Sequence, residues 1–216
     1  MLTAYFIRHA ESESNAGLRT EHPATSRITA KGHEQACLTS LVFENAPDLI
    51  VTSPYLRTQE TAAPLIQRFP AVDCVEWPVQ EFTYLDPSHW SGTTFHERQP
   101  VAHVYWERND PFYRDSDRAE SFLDLIERVE QTRQLILVQK AGTLAIFSHG
   151  QFTRTFWWRM ILPQLVIDSD TMKRYLHFIR GISFPNCAIV KFRFDRDGVW
   201  CGSLDISHIP PELLTY

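Results

Sequence analysis

The fold of this protein is decided by the stretch "LTAYFIRHAESESN", residues 2–15. It begins with an apolar run, residues 4–7, which predicts the interior of a buried strand. Arg8 and His9 follow at once, with no turn residue between them and the strand. Either the strand ends at the surface and these two residues have no special role, or it delivers them to a functional site.

Short β-branched runs alternate with helical segments along the rest of the chain. The predicted strands are residues 48–53, 71–77 and 143–148. The predicted helices are residues 30–43, 53–69, 120–142 and 168–178, with a further helix that follows His149–Gly150. This alternation predicts an α/β fold, a three-layer α/β/α sandwich around a mostly parallel sheet. Asp197–Gly198 suits a tight hairpin turn near the end of the chain, so the sheet is expected to be mixed.

The length of 216 residues favours a single domain, residues 1–216. Within it, residues 78–118 have no clear period, contain several prolines and are dense in aromatic residues. This segment is longer than a simple connection. We therefore expect an aromatic-rich insertion, or lid, that covers the active site and selects the substrate.

Composition and charge exclude several classes of protein. The net charge of −5 argues against general affinity for nucleic acid or an anionic membrane, because both partners call for a basic surface. No apolar stretch approaches the roughly 20 residues that a membrane span needs. The four cysteines show no CxxC spacing and the N-terminus lacks a signal-peptide pattern, so a cytoplasmic location is predicted. Nothing in the sequence indicates the oligomeric state.

Chemically distinctive residues follow the predicted strands at their carboxyl ends. Arg8 and His9 follow the first strand, Arg57 the second, Glu81 the third and His149–Gly150 the fourth. Open α/β sheets bind ligands at this edge. Arginine forks match phosphate oxygens, and a neutral imidazole is a nucleophile toward phosphorus. The sequence therefore predicts a phosphate site with a reactive histidine.

Three blocks in this sequence resemble the signature blocks of the histidine phosphatase superfamily, the phosphoglycerate-mutase-like proteins. They are "IRHAESESN" (7–15), "SPYLRTQETA" (53–62) and "FSHGQFTR" (147–154). A fourth stretch, "ITAKGHEQA" (28–36), is similar to the helix that follows the family's first block. The blocks occur in the family's order, and the resemblance favours the phosphatase branch.

The resemblance implies that the chain is an enzyme that hydrolyses a phosphomonoester through a phosphohistidine intermediate. His9 is then the nucleophile, and Glu81 protonates the leaving oxygen and later activates water. Asp86 and Glu11 are the carboxylates to examine if Glu81 does not have this role.

The resemblance also implies which residues hold the phosphoryl group. Arg8, Arg57 and His149, the last as a cation, are expected to bind it, together with Gly150 and, on weaker grounds, Asn15. One departure is that Ala10 stands where the family usually has glycine after the nucleophile. Alanine is tolerated there if its φ stays negative.

We expect no cofactor and no metal. Three histidines spaced by seven residues in the insertion, His89, His96 and His103, suggest a metal site at first sight. Pro100, however, is expected to break any helix that would align them.

Two alternative functions remain open. A phosphoglycerate-type mutase would use the same residues but pass the phosphoryl group to a second hydroxyl, and a non-catalytic phosphate-binding module would use the fold without chemistry. The predicted substrate is a small phosphorylated metabolite, because the insertion is long, although a phosphoprotein stays possible.

Overall fold

The computed structural model describes residues 1–139 and 142–216, and in them six strands and six α-helices. The strands are β1 (Leu2–Arg8), β2 (Leu49–Thr52), β3 (Cys74–Glu76), β4 (Gly142–Ser148), β5 (Ile189–Phe194) and β6 (Val199–Asp205). The helices are α1 (Ala30–Leu41), α2 (Leu56–Arg68), α3 (Phe95–Arg108), α4 (Phe122–Leu137), α5 (Gly150–Ile161) and α6 (Ser169–Gly181), and a short 3₁₀ helix covers Pro211–Leu213.

The strands form one mixed sheet in the order β3-β2-β4-β1-β5-β6. The four strands from β3 to β1 are parallel, whereas β5 and β6 are antiparallel to their neighbours. The turn between β5 and β6 contains Gly198 at a φ of 146°, a conformation that favours glycine. The predicted mostly parallel sheet with a closing hairpin is confirmed.

Helices cover both faces of the sheet, because side chains along each strand alternate between faces. On β1, Phe6 packs into the larger core with residues of α4, α5 and α6, whereas Ile7 packs with residues of α2 on the other face. On β4, Ile146 and Phe147 divide in the same way. Since α1 packs against α2, the result is the predicted three-layer sandwich.

The insertion contains a helix that the sequence did not predict. Helix α3 spans Phe95–Arg108 with Pro100 inside it, so the expectation that Pro100 breaks the helix is wrong. Thr94 accepts a hydrogen bond from the Glu97 N–H, and the Glu97 carboxylate accepts one from the Thr94 N–H. This capping box fixes the first turn, so the helix tolerates the loss of the one backbone hydrogen bond that the proline removes. The described residues contain no group of His, Cys, Asp or Glu side chains placed to hold a metal ion.

Most aromatic residues of the insertion pack on one another. Tyr84 lies between Tyr105 and Trp106, with ring centroids 4.7 and 5.7 Å away. Phe82 adds a third contact at 5.2 Å, and Tyr113 packs on Tyr105 at 5.9 Å. These rings join the larger core rather than forming a loose cover.

Two helix boundaries differ from the sequence prediction. Helix α2 starts at Leu56, after Tyr55 as N-cap residue, although Ser53–Pro54 had indicated an earlier start. Gly142 begins β4 instead of ending α4, and its φ of 132° suits glycine. The described helices are 12 to 16 residues long, and none of them has both the length and the apolar character to cross a membrane.

Candidate active site

The predicted site residues meet at one cavity beyond the carboxyl ends of the parallel strands. Its volume is about 1230 Å³, enough for a ligand much larger than a phosphate group. Six of the predicted residues line it, namely Arg8, His9, Asn15, Arg57, Glu81 and Gly150. The seventh, His149, is fully buried, and its ring centroid lies 5.1 Å from that of His9.

His9 is held in one tautomer. Its backbone N–H donates to the Ser148 carbonyl at 2.9 Å, which fixes the chain as β1 ends. Its Nδ1–H donates to the Ala10 carbonyl at 2.8 Å, and a carbonyl can only accept, so Nε2 carries the lone pair. Burial and the charges of Arg57 and Arg8 hold the pKa of His9 well below its usual range. The imidazole is therefore neutral and nucleophilic at neutral pH.

Arg8 brings a buried positive charge to the cavity. Its Nη1 donates to the Phe184 carbonyl, while its Nε is buried without a hydrogen-bond partner among the described residues. Burial lowers the pKa of Arg8 to about 10, so the guanidinium stays charged at neutral pH. A buried, charged N–H without a partner costs free energy, and an anion in the cavity is the partner that removes this cost.

Arg57 is positioned by a chain of hydrogen bonds behind the cavity. Its Nη2 donates to His149 Nδ1 at 3.0 Å, and His149 Nε2–H in turn donates to Ser53 Oγ at 2.8 Å. Its Nη1 donates to the Pro23 carbonyl, and its guanidinium lies over the Tyr55 ring, 4.9 Å from the centroid. These contacts fix the orientation of the Arg57 guanidinium independently of any ligand.

His149 differs from the expectation in its protonation. Because Arg57 has no acceptor, His149 Nδ1 must accept, and the neutral ring then carries its proton on Nε2. Burial and the charge of Arg57 hold the pKa of His149 well below its usual range. The predicted cationic form is thus disfavoured, since a second positive charge would have to be buried beside Arg57. In this structure His149 orients Arg57.

Glu81 lies at the amino end of α5. Both of its carboxylate oxygens accept the Gln151 N–H at 3.1 Å, and one of them also accepts the Phe152 N–H at 3.1 Å. These N–H groups belong to the first turn of the helix, where backbone donors lack partners within the helix. Glu81 therefore stands in the cavity wall, next to the strand end that carries His149.

The two other carboxylates considered from the sequence are less suited to proton transfer. Asp86 lines the cavity, but hydrogen bonds from the Ser116 and Ser88 hydroxyls hold its pKa well below the usual range. It is therefore ionised at neutral pH and has no proton to donate. Glu11 accepts the Thr29 hydroxyl at 2.7 Å, at the start of α1.

Asn15 is tied to a residue that the sequence did not single out. Asn186 is fully buried, and its Nδ2 donates to the His9 carbonyl at 3.0 Å and to Asn15 Oδ1 at 3.2 Å. Its Oδ1 accepts the Thr215 hydroxyl at 3.0 Å. These partners are far from Asn186 in sequence, so no local pattern marks it. It holds the backbone of His9 from the side opposite to Ser148.

Ala10 causes no strain at the position where the family usually has glycine. Among the described residues, Asn109 and Cys187 are the non-glycine residues with positive φ, so Ala10 keeps a negative one. Its N–H donates to Thr61 Oγ1 at 3.0 Å, and its side chain is fully buried. The departure from the family pattern is therefore compatible with the site.

The outer wall of the cavity carries several large apolar side chains beside charged and polar ones, among them Arg98, His103 and Arg180. It is formed by the insertion and by the end of α6, and its apolar members include Trp90, Phe95, Trp106, Leu176, Ile179 and Phe184. Arg154 also lines the cavity, but its guanidinium donates to the Gly150 and Ile179 carbonyls at 3.0 and 2.6 Å. It therefore braces α5 against α6.

Comparison of the sequence with protein families gives one result that covers most of the chain. The profile of the histidine phosphatase superfamily (branch 1) matches residues 4–206. The chain belongs to this superfamily. No curated protein sequence matches it.

Solved structures of the same fold align with nearly the whole chain. A phosphoserine phosphatase mutant from Entamoeba histolytica, in complex with phosphoserine, is 18% identical with a TM-score of 0.73, and the match covers 97% of this chain and 100% of that one. A putative alpha-ribazole-5'-P phosphatase from Escherichia coli is 21% identical with a TM-score of 0.71, covering 95% and 96%. The Bacillus stearothermophilus protein YhfR is 20% identical with a TM-score of 0.74, covering 96% and 99%. At these identities the similarity concerns the fold.

Proposed function

We propose that this histidine phosphatase superfamily member hydrolyses a small phosphomonoester through a phosphohistidine on His9. The observation that carries the proposal is the state of His9, a neutral imidazole with a free Nε2 lone pair in a cavity wall that also contains Arg8 and Arg57. Membership of the superfamily supports it. So do the names of two proteins of the same fold, a phosphoserine phosphatase and a putative alpha-ribazole-5'-P phosphatase.

In the first step, Nε2 of His9 attacks phosphorus and the bond between phosphorus and the leaving oxygen breaks. Glu81 gives its proton to that oxygen, so the alcohol leaves neutral. Arg8 and Arg57 bind the phosphoryl oxygens as charge redistributes, and their fixed guanidinium groups need little reorganisation.

In the second step, water attacks the phosphohistidine. The ionised Glu81 takes a proton from the water, the bond between phosphorus and nitrogen breaks, and inorganic phosphate leaves. His9 and Glu81 return to their starting states, so the cycle is balanced without an added co-reactant. No step requires a metal ion.

We also propose that residues 1–216 act as one unit in which residues 78–118 cover the cavity. Tyr84, Trp90, Phe95 and Trp106 from this segment form part of the cavity wall, which supports a role in substrate selection. Its other face joins the larger core, as expected of a fixed cover. The cytoplasmic location stays a prediction, which cell fractionation tests.

Turnover of 4-nitrophenyl phosphate tests the proposed function. We expect wild-type protein to release phosphate and the His9→Ala variant to lose at least about 10³-fold in kcat. Exchange between phosphoglycerates without net phosphate release would instead support the mutase. Phosphate binding without either reaction would support the non-catalytic module.

The role of Glu81 is tested by the leaving group. Glu81→Gln is expected to slow alkyl phosphates, which need a proton on the leaving oxygen, by roughly 10²-fold or more. 4-Nitrophenyl phosphate, whose leaving group is stable as an anion, should be slowed much less. Equal slowing of both substrates would contradict the acid role.

A further inference from the structure

The segment that carries Glu81 has no regular secondary structure. Residues 78–83 lie in neither a helix nor a strand, yet they have to hold a carboxylate where a proton is transferred. The Val79 carbonyl accepts the Ser148 hydroxyl at 2.7 Å, which ties the segment to the end of β4. The other tertiary contacts of its backbone come mainly from α4 and from the residue that precedes this helix's N-cap.

Arg128 on α4 binds the part of the segment before Glu81. Its Nη1 donates to the Pro78 carbonyl at 3.1 Å and to the Gln80 carbonyl at 2.7 Å. The side chain is buried, and its guanidinium lies over the Phe152 ring, 4.8 Å from the centroid. One nitrogen thus fixes the backbone on the N-terminal side of Glu81.

Glu120 binds the part of the segment after Glu81. Its Oε2 accepts the Thr83 N–H at 3.0 Å, and its own N–H donates to the Thr83 carbonyl at 2.8 Å. Its carboxylate also pairs with Arg128 in a bidentate arrangement, Nε to Oε1 at 2.7 Å and Nη2 to Oε2 at 2.8 Å. The ion pair therefore joins the two contacts that flank Glu81.

We propose that the Arg128–Glu120 pair is a positioning clamp that holds Glu81 at the amino end of α5, in the place from which it exchanges protons with the leaving oxygen and with water. The proposal rests on the proposed function, because it assigns the pair a role through Glu81. The hydrogen bonds from the clamp to this segment go to its backbone, and neither Arg128 nor Glu120 lines the cavity.

The chemistry of the pair favours this role over simple stabilisation. A buried ion pair often adds little to stability, because the loss of hydration offsets the attraction. Four N–H groups of Arg128 are used in fixed directions, two on the carboxylate and two on carbonyls, and a lysine ammonium has three donors and no planar fork. Arg128→Lys thus keeps the charge and removes the geometry.

The kinetic test compares Arg128→Lys with a matched variant on the same helix, Arg133→Lys, which alters the partly exposed Arg133–Glu130 pair. We expect Arg128→Lys to lower kcat/KM about 10²-fold for an alkyl phosphate and less than about 3-fold for 4-nitrophenyl phosphate. Arg133→Lys should change neither. In a Glu81→Gln background, Arg128→Lys should cause no further loss on the alkyl phosphate.

A second measurement reads the position of Glu81 without any activity. The Gln151 and Phe152 N–H groups bond to the Glu81 carboxylate, so their hydrogen exchange reports whether it is in place. We expect their exchange to be faster by about fivefold or more in Arg128→Lys and in a Glu81→Ala reference, and unchanged in Arg133→Lys. Glu120→Gln, which weakens the pair from the other side, should act in the same direction.

Two results would overturn the clamp. One is an unchanged exchange rate at Gln151 and Phe152 in a folded Arg128→Lys variant, which stands even if the wild-type protein hydrolyses no phosphate. The other is an equal loss on both substrates, or a loss that adds to that of Glu81→Gln. Failure of the proposed function would appear separately, as wild-type protein without turnover but with normal exchange responses.

Discussion

Two buried histidines with different partners define the site at the scale of single residues. Nδ1 of His9 is bonded and its Nε2 has no hydrogen-bond partner among the described residues, whereas both nitrogens of His149 have protein partners. The same physical cause, burial beside guanidinium charge, keeps both rings neutral. We therefore expect His9 to act as the nucleophile and His149 to orient Arg57.

The depressed histidine pKa values predict how stability depends on pH. In the unfolded chain a histidine titrates near its ordinary pKa of about 6.5, whereas the folded protein keeps His9 and His149 neutral to lower pH. Below about pH 6 the unfolded state therefore binds more protons, and stability falls as pH falls. Each histidine contributes a slope of up to about 1.4 kcal/mol per pH unit.

Urea unfolding between about pH 5 and pH 7.5 measures this slope. His149→Gln should reduce it by about 1.4 kcal/mol per pH unit at the acidic end. Phe156→Leu, a core variant on the same helix, should lower stability by the same amount at every pH. An unchanged slope in His149→Gln would show that His149 is protonated in the folded protein.

Most catalytic candidates could be found from the sequence because they follow predicted strands directly. Arg8 and His9 need only the end of β1 and the rule that ligands bind at that edge. The neutral state of His149 could not be predicted, because it depends on Arg57 and Ser53 meeting it in space. Asn186 was missed for the same reason, since its partners lie about 30 or more than 170 residues away in sequence.

Helix α5 begins close to the predicted phosphate site because its first residue is a glycine. Its first residue, Gly150, lies against the Arg8 side chain, and an added Cβ there would stand 3.3 Å from Arg8 Nε. That nitrogen is the buried donor without a partner among the described residues. A side chain at this position would thus displace the Arg8 guanidinium, which we propose binds the phosphoryl oxygens.

Gly150→Ala is therefore expected to weaken phosphate binding by about tenfold, because Arg8 has to shift by a few tenths of an ångström. The inhibition constant of inorganic phosphate against 4-nitrophenyl phosphate turnover measures this change. Gly181→Ala, at the end of α6 with nothing within 4 Å of its added Cβ, is the matched control. Equal inhibition constants for Gly150→Ala and wild type would contradict the close approach.

Proline was the weakest guide to element boundaries. Pro100 lies inside α3, although it had been expected to break any helix there, and Pro64 lies inside α2. Each helix continues past its proline because packing of its buried residues and, in α3, the capping box outweigh the one missing hydrogen bond. The central strands β1, β2 and β4 were predicted more closely, since their apolar runs reflect burial. Strand β3 covers only Cys74–Glu76 of the predicted residues 71–77, and these residues are exposed.

The cavity combines the arginines Arg8 and Arg57 at its inner end with large apolar side chains of the insertion in its outer part. The cavity of about 1230 Å³ leaves room for a leaving group far larger than glycerol, and Trp90 and Phe95 line its outer part. Phe95 is 59% exposed, which makes it available for contact. We therefore expect the enzyme to prefer phosphomonoesters with a bulky apolar leaving group.

This preference is tested with two alkyl phosphates whose leaving alcohols have similar acidity. We expect kcat/KM for 2-phenylethyl phosphate to exceed that for glycerol 1-phosphate by roughly 10- to 30-fold, because burying an aromatic ring contributes about 2 kcal/mol. Trp90→Ala and Phe95→Ala should reduce the ratio. Trp200→Ala, an exposed residue on β6, should not. A higher value for glycerol 1-phosphate would contradict the preference.

The proposed function depends most directly on the covalent step on His9. It is tested by acid-free rapid quenching of the enzyme during turnover of ³²P-labelled 4-nitrophenyl phosphate, followed by peptide mapping. We expect label on His9, stable in base and lost in acid, and none on the His9→Ala variant. Turnover without any acid-labile label, or label on another residue, would contradict it.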